Sequence, residues 1–182
     1  MKIPLTYGAL IAIVNTILSL ALFFLGYHSD AAKLESLGIA PNILPLVVMI
    51  AGMALSVRAR RAETPPGEAF SYGKAFATAL LTGVISGVVG AILYFGYLAF
   101  INPDFISVQS QMQYDKLAAQ GKTAQQIEAI QKMAGFFLKP VIQTIFIMIM
   151  SAILSVILGL IVAIFFRREA KAPMMATPPP IA

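Results

Sequence analysis

Residues 75–100 read AFATALLTGVISGVVGAILYFGYLAF, an unbroken run without Asp, Glu, Lys, Arg or His. At ~1.5 Å rise per residue, a helix of this length crosses a ~30 Å hydrocarbon layer. Three further runs share the property, at about residues 5–27, 39–57 and 140–166. Helices satisfy their own backbone groups in lipid, and none of the runs alternates polar and apolar residues as a membrane strand does. Composition agrees: 12% of the residues are charged, against about 25% in soluble domains. The expected fold is an all-α integral membrane protein, a four-transmembrane-helix bundle forming one domain over residues 1–168. The first run is read as a retained span, being longer than a leader's apolar segment, although Ser29-Asp30-Ala31 offers a small-x-small site.

The charges between the runs set an orientation. Lys2, Arg58, Arg60, Arg61, Lys74, Arg167, Arg168 and Lys171 fall on one side with Glu63, Glu68 and Glu169, whereas the basic and acidic residues of the other side cancel. Basic residues next to span ends favour the cytoplasm, so both termini are expected to be cytoplasmic. Tyr7, Tyr72, Phe165 and Phe166 would mark the inner interface, and Tyr27, Tyr94, Tyr97, Phe136 and Phe137 the outer one. The loop RARRAETPPGEAFSYGK, residues 58–74, is expected to meet anionic lipid at the cytoplasmic face. The tail EAKAPMMATPPPIA, residues 169–182, is short, proline-rich and expected to be disordered.

The connection before the last span is long. After Asn102-Pro103-Asp104, read as a capped helix start, Phe105, Val108 and Met112 recur at helical spacing until Gly121. Thr123 and Gln126 then have the spacing of a capping box, followed by Ile127, Ile130, Ala134 and Phe137. This predicts an outer helical hairpin over about 102–134, its second arm nearly continuous with the last span and able to bend at Gly135 or Pro140. The hairpin is read as a cap on the bilayer or helix ends, or else as a docking surface for an envelope partner.

Glycines collect where a soluble helix would avoid them. Gly83 and Gly87 centre a row from Ala75 through Ala79 to Ala91, and Ser151, Ser155, Gly159 and Ala163 form a second row. Lipid does little to drive helices together by apolar burial, so close backbone approach carries more of the association. The helix-packing residues are therefore Ala79, Gly83, Gly87, Ser151, Ser155 and Gly159, with the third and fourth spans antiparallel. A homo-oligomer through Gly83 and Gly87 is the competing reading.

No catalytic constellation stands out: the chain has no cysteine, and the zincin, nucleophile-elbow and phosphate-loop patterns are missing. His28, the single histidine, is expected to sit exposed at the interface without a role. Asn15, Thr16 and Ser19 are the polar group at membrane depth, read as an interhelical hydrogen bond or as the lining of a polar pathway. No cofactor, metal or nucleic acid is expected. The leading functional reading is a non-enzymatic accessory or assembly subunit acting through helix and outer-loop contacts with a membrane or envelope protein. The alternative is a small oligomeric transporter or channel.

Gly73-Lys74-Ala75-Phe76 opening a glycine-containing span, Tyr94 near its far end, and Ile101-Asn102-Pro103-Asp104-Phe105 after it form a recognisable series. From Thr6 to Arg168 the chain resembles an uncharacterised bacterial inner-membrane family, filed as a domain of unknown function. The resemblance implies four spans with a long outer connection before the last, and it brings no catalytic residues.

Overall fold

A computed structural model describes residues 1–169. The expectation of a disordered tail concerns residues 170–182 almost entirely and lies outside the described residues. Seven α-helices follow one another: α1 (Lys2–Phe24), α2 (Ala31–Ser36), α3 (Ala40–Ala62), α4 (Tyr72–Gly96), α5 (Phe105–Ala119), α6 (Ala124–Ala134) and α7 (Pro140–Phe166). A π-helical turn, Tyr97–Ile101, extends α4. Among the described residues four helices are long and apolar enough to cross a membrane: α1, α3, α4 with its π-helical turn, and α7. Among the described residues there is no β-strand, only an isolated bridge between Phe70 and Arg168.

Local chemistry sets the helix limits. Asp30 accepts a hydrogen bond from the Lys33 amide at 3.0 Å and starts α2, and Ser71 does the same for Lys74 and α4. The box of Thr123 and Gln126 closes in both directions at the start of α6. Gly121, at φ +78°, takes the left-handed turn that ends α5. α3 runs a turn past its apolar stretch, so Arg58, Arg60 and Arg61 ride on its last turns.

One expectation fails. α6 does not continue into α7: residues 135–138 are turns, and Lys139 is extended at φ −62°, ψ 132°. Proline disfavours the helical conformation in the residue before it. At Lys139 that preference prevails and Pro140 starts a new helix, whereas α1 and α3 run through Pro4 and Pro45.

α4 is the hub. Its interface with α7 is the most extensive in the molecule, that with α1 is next, and α3 packs against α1, α4 and α7. The main core joins Ile11, Met49, Met53, Val57, Phe70, Ala75, Ala79, Val162 and Ala163. A second core, at the other end, joins Leu34, Tyr97, Leu98 and Phe105. Much of the outer surface stays apolar, including Leu10, Ile13 and Ile17 on α1 and Ile145, Ile149 and Ile153 on α7. Water would penalise such a surface, whereas hydrocarbon matches it.

The loop between α3 and α4 is tied to the end of α7. Phe70, almost wholly buried, exchanges backbone hydrogen bonds of 2.8 and 2.9 Å with Arg168. The Arg168 side chain donates from Nε to the Glu68 carbonyl and from Nη2 to those of Thr64 and Pro65.

Candidate functional site

Two constructions hold the polar residues, a seam along α4 and a cluster where the second core sits. In the seam, Gly83 faces Ser155 and Gly87 faces Ser151. A Cβ added at either glycine would lie 2.8 or 2.7 Å from the serine Cβ and closer still to its hydroxyl. Glycine is therefore required here by contact, not by conformation. The Ser155 hydroxyl donates to the Ser151 carbonyl at 2.6 Å, and Gly159 lies against Phe76 and Leu80 of α4. Ala79 is fully buried in the main core. On the α1 side, Gly8 stands against the Thr82 carbonyl and Ile85.

Thr82 and Ser56 meet inside the seam with oxygens 2.7 Å apart, both fully buried. Thr82 also reaches the Thr78 carbonyl at 2.8 Å. Since its single proton goes to that carbonyl, Ser56 supplies the proton of the bond between them.

The polar group on α1 divides. Thr16 donates to the Ala12 carbonyl at 2.8 Å, and Ser19 is partly buried a turn beyond Asn15. Asn15 Oδ1 is buried and has no hydrogen-bond partner among the described residues. The expected interhelical bond is thus not made by that oxygen within the chain.

The cluster at the far end overturns the reading of His28. It is 5% exposed, not solvated at the interface. Its Nδ1 lies 2.7 Å from the Tyr97 hydroxyl, and its ring rests 4.3 Å from that of Phe105. Asn102 Nδ2 donates to the Tyr97 hydroxyl at 2.9 Å and to the His28 carbonyl at 3.3 Å. Asn102 therefore bridges chain segments rather than capping α5, which starts without a side-chain cap. The π-helical turn brings these groups together: its wide ring, closed from the Asn102 amide to the Tyr97 carbonyl at 2.8 Å, turns both residues inward. With Asn102 donating to it, the Tyr97 oxygen can give its own proton to Nδ1, an arrangement that suits a neutral imidazole carrying hydrogen on Nε2. Burial lowers the His28 pKa below its ordinary 6.5, in the same direction.

Beside the cluster, the Tyr94 hydroxyl donates to Gln143 of α7, and Gln143 reaches Gln109 of α5. These glutamines line an apolar cleft of about 380 Å³ with Phe137, Phe146 and Ile147. Among the described residues no three His, Asp or Glu side chains gather as a metal site requires.

The sequence signals for this cluster were Tyr94 and the Asn-Pro-Asp-Phe segment after the third span. A family described as Protein of unknown function (DUF4199) matches residues 6–168. The chain belongs to that family. The match takes in α3, α4, α7 and all of α1 but its first residues, with the seam and the His28–Tyr97–Asn102 cluster. No curated protein and no solved structure matches the chain.

Proposed function

We propose that this member of the family is a multi-pass protein of the bacterial cytoplasmic membrane that acts by contact, as an accessory or assembly subunit, and not as an enzyme. Both termini and the arginine-rich ends of α3 and α7 face the cytoplasm and its anionic lipid. α5 and α6 form an outer hairpin over the bundle, available to a membrane or envelope partner. The observation that carries the reading is how the polar side chains of the spans are used. Thr78, Thr82, Ser56, Ser151 and Ser155 bond to carbonyls or to one another within the packed seam. Thr78, Thr82 and Ser155 return their protons to carbonyls of their own helix, and Ser56 and Ser151 reach across to α4, so these hydroxyls are not left to line a path.

The test is reconstitution of the full chain into vesicles, with flux measured over panels of ions and small solutes. Flux equal to that of empty vesicles is expected, and native mass of the gently extracted complex should contain a second protein in fixed ratio. A homogeneous homo-oligomer with flux above background would sink the proposal.

The second reading, an oligomeric transporter or channel, is favoured by the unpartnered Asn15 oxygen at membrane depth. It requires flux that Asn15→Leu abolishes.

A further inference from the structure

The ends of α3 and α7 enclose a cleft of about 430 Å³ lined by Arg58, Arg61, Ala62, Phe166 and Arg168. Arg58 and Arg61 are three residues apart and so share one side of α3. Among the described residues no carboxylate pairs with either; the one nearby ion pair, Arg60 with Glu63, uses the arginine between them. Arg168 is already anchored: three of its five N–H groups hold carbonyls of the 64–68 loop, which leaves the two on Nη1. Its position is thereby fixed before any ligand arrives. The other lining is apolar, and Phe166 packs against the main core.

Uncompensated guanidinium groups beside an apolar wall, at the end of membrane-capable helices, match one chemistry. Guanidinium forks pair with phosphate oxygens in two-point geometry, and the wall suits the glycerol and first methylenes that follow a lipid headgroup. We propose that this cleft is a specific binding site for a phosphate anion, held by Arg58 and Arg61 with Arg168 as the pre-fixed third cation. A phospholipid headgroup and a soluble phosphate share that chemistry. The inference narrows the general attraction to anionic lipid in the proposed function to one cleft. It stands apart from the accessory or transporter question.

The full chain in neutral detergent would be titrated with phosphatidylglycerol and, separately, phosphatidylcholine, with bound lipid counted by native mass spectrometry. Because binding is read in detergent, an error in topology or in the accessory role leaves the result untouched. Arg58→Gln with Arg61→Gln should weaken phosphatidylglycerol binding about tenfold. Lys2→Gln with Lys74→Gln, equal in charge removed and outside the cleft, should change it less than about twofold. Equal losses in the two pairs would reduce the site to diffuse attraction and overturn the proposal, as would no loss in the first. Should the glutamine pair fail to fold, Arg58→Lys with Arg61→Lys carries the same test. A loss of about threefold is then expected, because ammonium lacks the fork, and unchanged binding overturns the proposal. Excess inorganic phosphate decides the source. Competition with the lipid identifies a soluble phosphate ligand, and none identifies the headgroup.

Discussion

The α4–α7 seam and the His28 cluster solve the same problem, joining distant segments, with opposite materials. The seam uses the smallest side chains: Gly83 on Ser155 and Gly87 on Ser151, with hydroxyls turned to backbone carbonyls. The cluster uses large rings, Tyr97 and Phe105 around His28, and joins them through two bonds between side chains and one to the His28 carbonyl. The difference follows from the surrounding medium. In hydrocarbon, apolar bulk gains nothing by moving from lipid to protein, so helices associate through close approach. Near the water boundary, ring burial is favourable again and a polar tip can be matched. The seam is thus limited by volume and the cluster by hydrogen-bond completeness.

This contrast can be broken from either side. The largest effect should come from Gly83→Ile with Gly87→Ile, which drives branched side chains into Ser155 and Ser151. At ~1–3 kcal/mol for each overpacked site, thermal stability in detergent should fall steeply, whereas the isosteric Ser155→Ala should be mild. Unchanged stability in the double variant would mean that the helices do not pack along this row.

Asn102→Leu comes next, since it strips the Tyr97 hydroxyl and the His28 carbonyl of their shared donor. Buried groups left without a partner cost about 1–3 kcal/mol each, and hydrogen exchange of residues 28–34 and 97–108 should accelerate while the seam stays protected. Equal acceleration in both regions would show that they unfold as one.

The third effect depends on pH. His28 has its pKa lowered by burial, so between the folded value and 6.5 the unfolded chain binds more protons than the folded one. Stability contributed by the neutral ring is complete above pH 6.5 and is lost as pH falls through and below it. Protonation also makes Nδ1 a donor toward an oxygen that already accepts from Asn102, leaving the Tyr97 proton without its partner. The protection of the cluster's amides, taken against the intrinsic exchange rate at each pH, should fall on acidification, and His28→Phe should remove that dependence. The smallest change is expected for Ser56→Ala, which deletes one interhelical hydroxyl contact worth about 0.6 kcal/mol.

How much of this stood in the sequence depends on the range of the interaction. The four apolar helices follow from the absence of charge over long runs, a property each run carries alone. The Thr123–Gln126 box and the turn at Gly121 are equally local. The small-residue rows can be seen in sequence, but the register that sets Gly83 on Ser155 is a fact about two helices. His28 was misread because its partners lie 69 and 74 residues away. The residues around Asn102 have the pattern of a helix cap, and only the π-helical turn redirects its side chain. The break before Pro140 was legible in principle. Helical spacing of Ile127, Ile130, Ala134 and Phe137 suggests continuity, and at Lys139 the preference for extended backbone before proline prevails, as it does not at Pro4 and Pro45.

The tie between Arg168 and the 64–70 loop bears on the order in which the molecule is made. The loop leaves the ribosome about a hundred residues before the arginine that holds it. Until α7 is complete, the carbonyls of Thr64, Pro65 and Glu68 lack the Arg168 guanidinium, and Phe70 lacks the backbone partner against which it is buried. The last span thus arrives as the fastener of a connection laid down early. A chain halted short of Arg168 would have all four membrane helices and an unfastened loop.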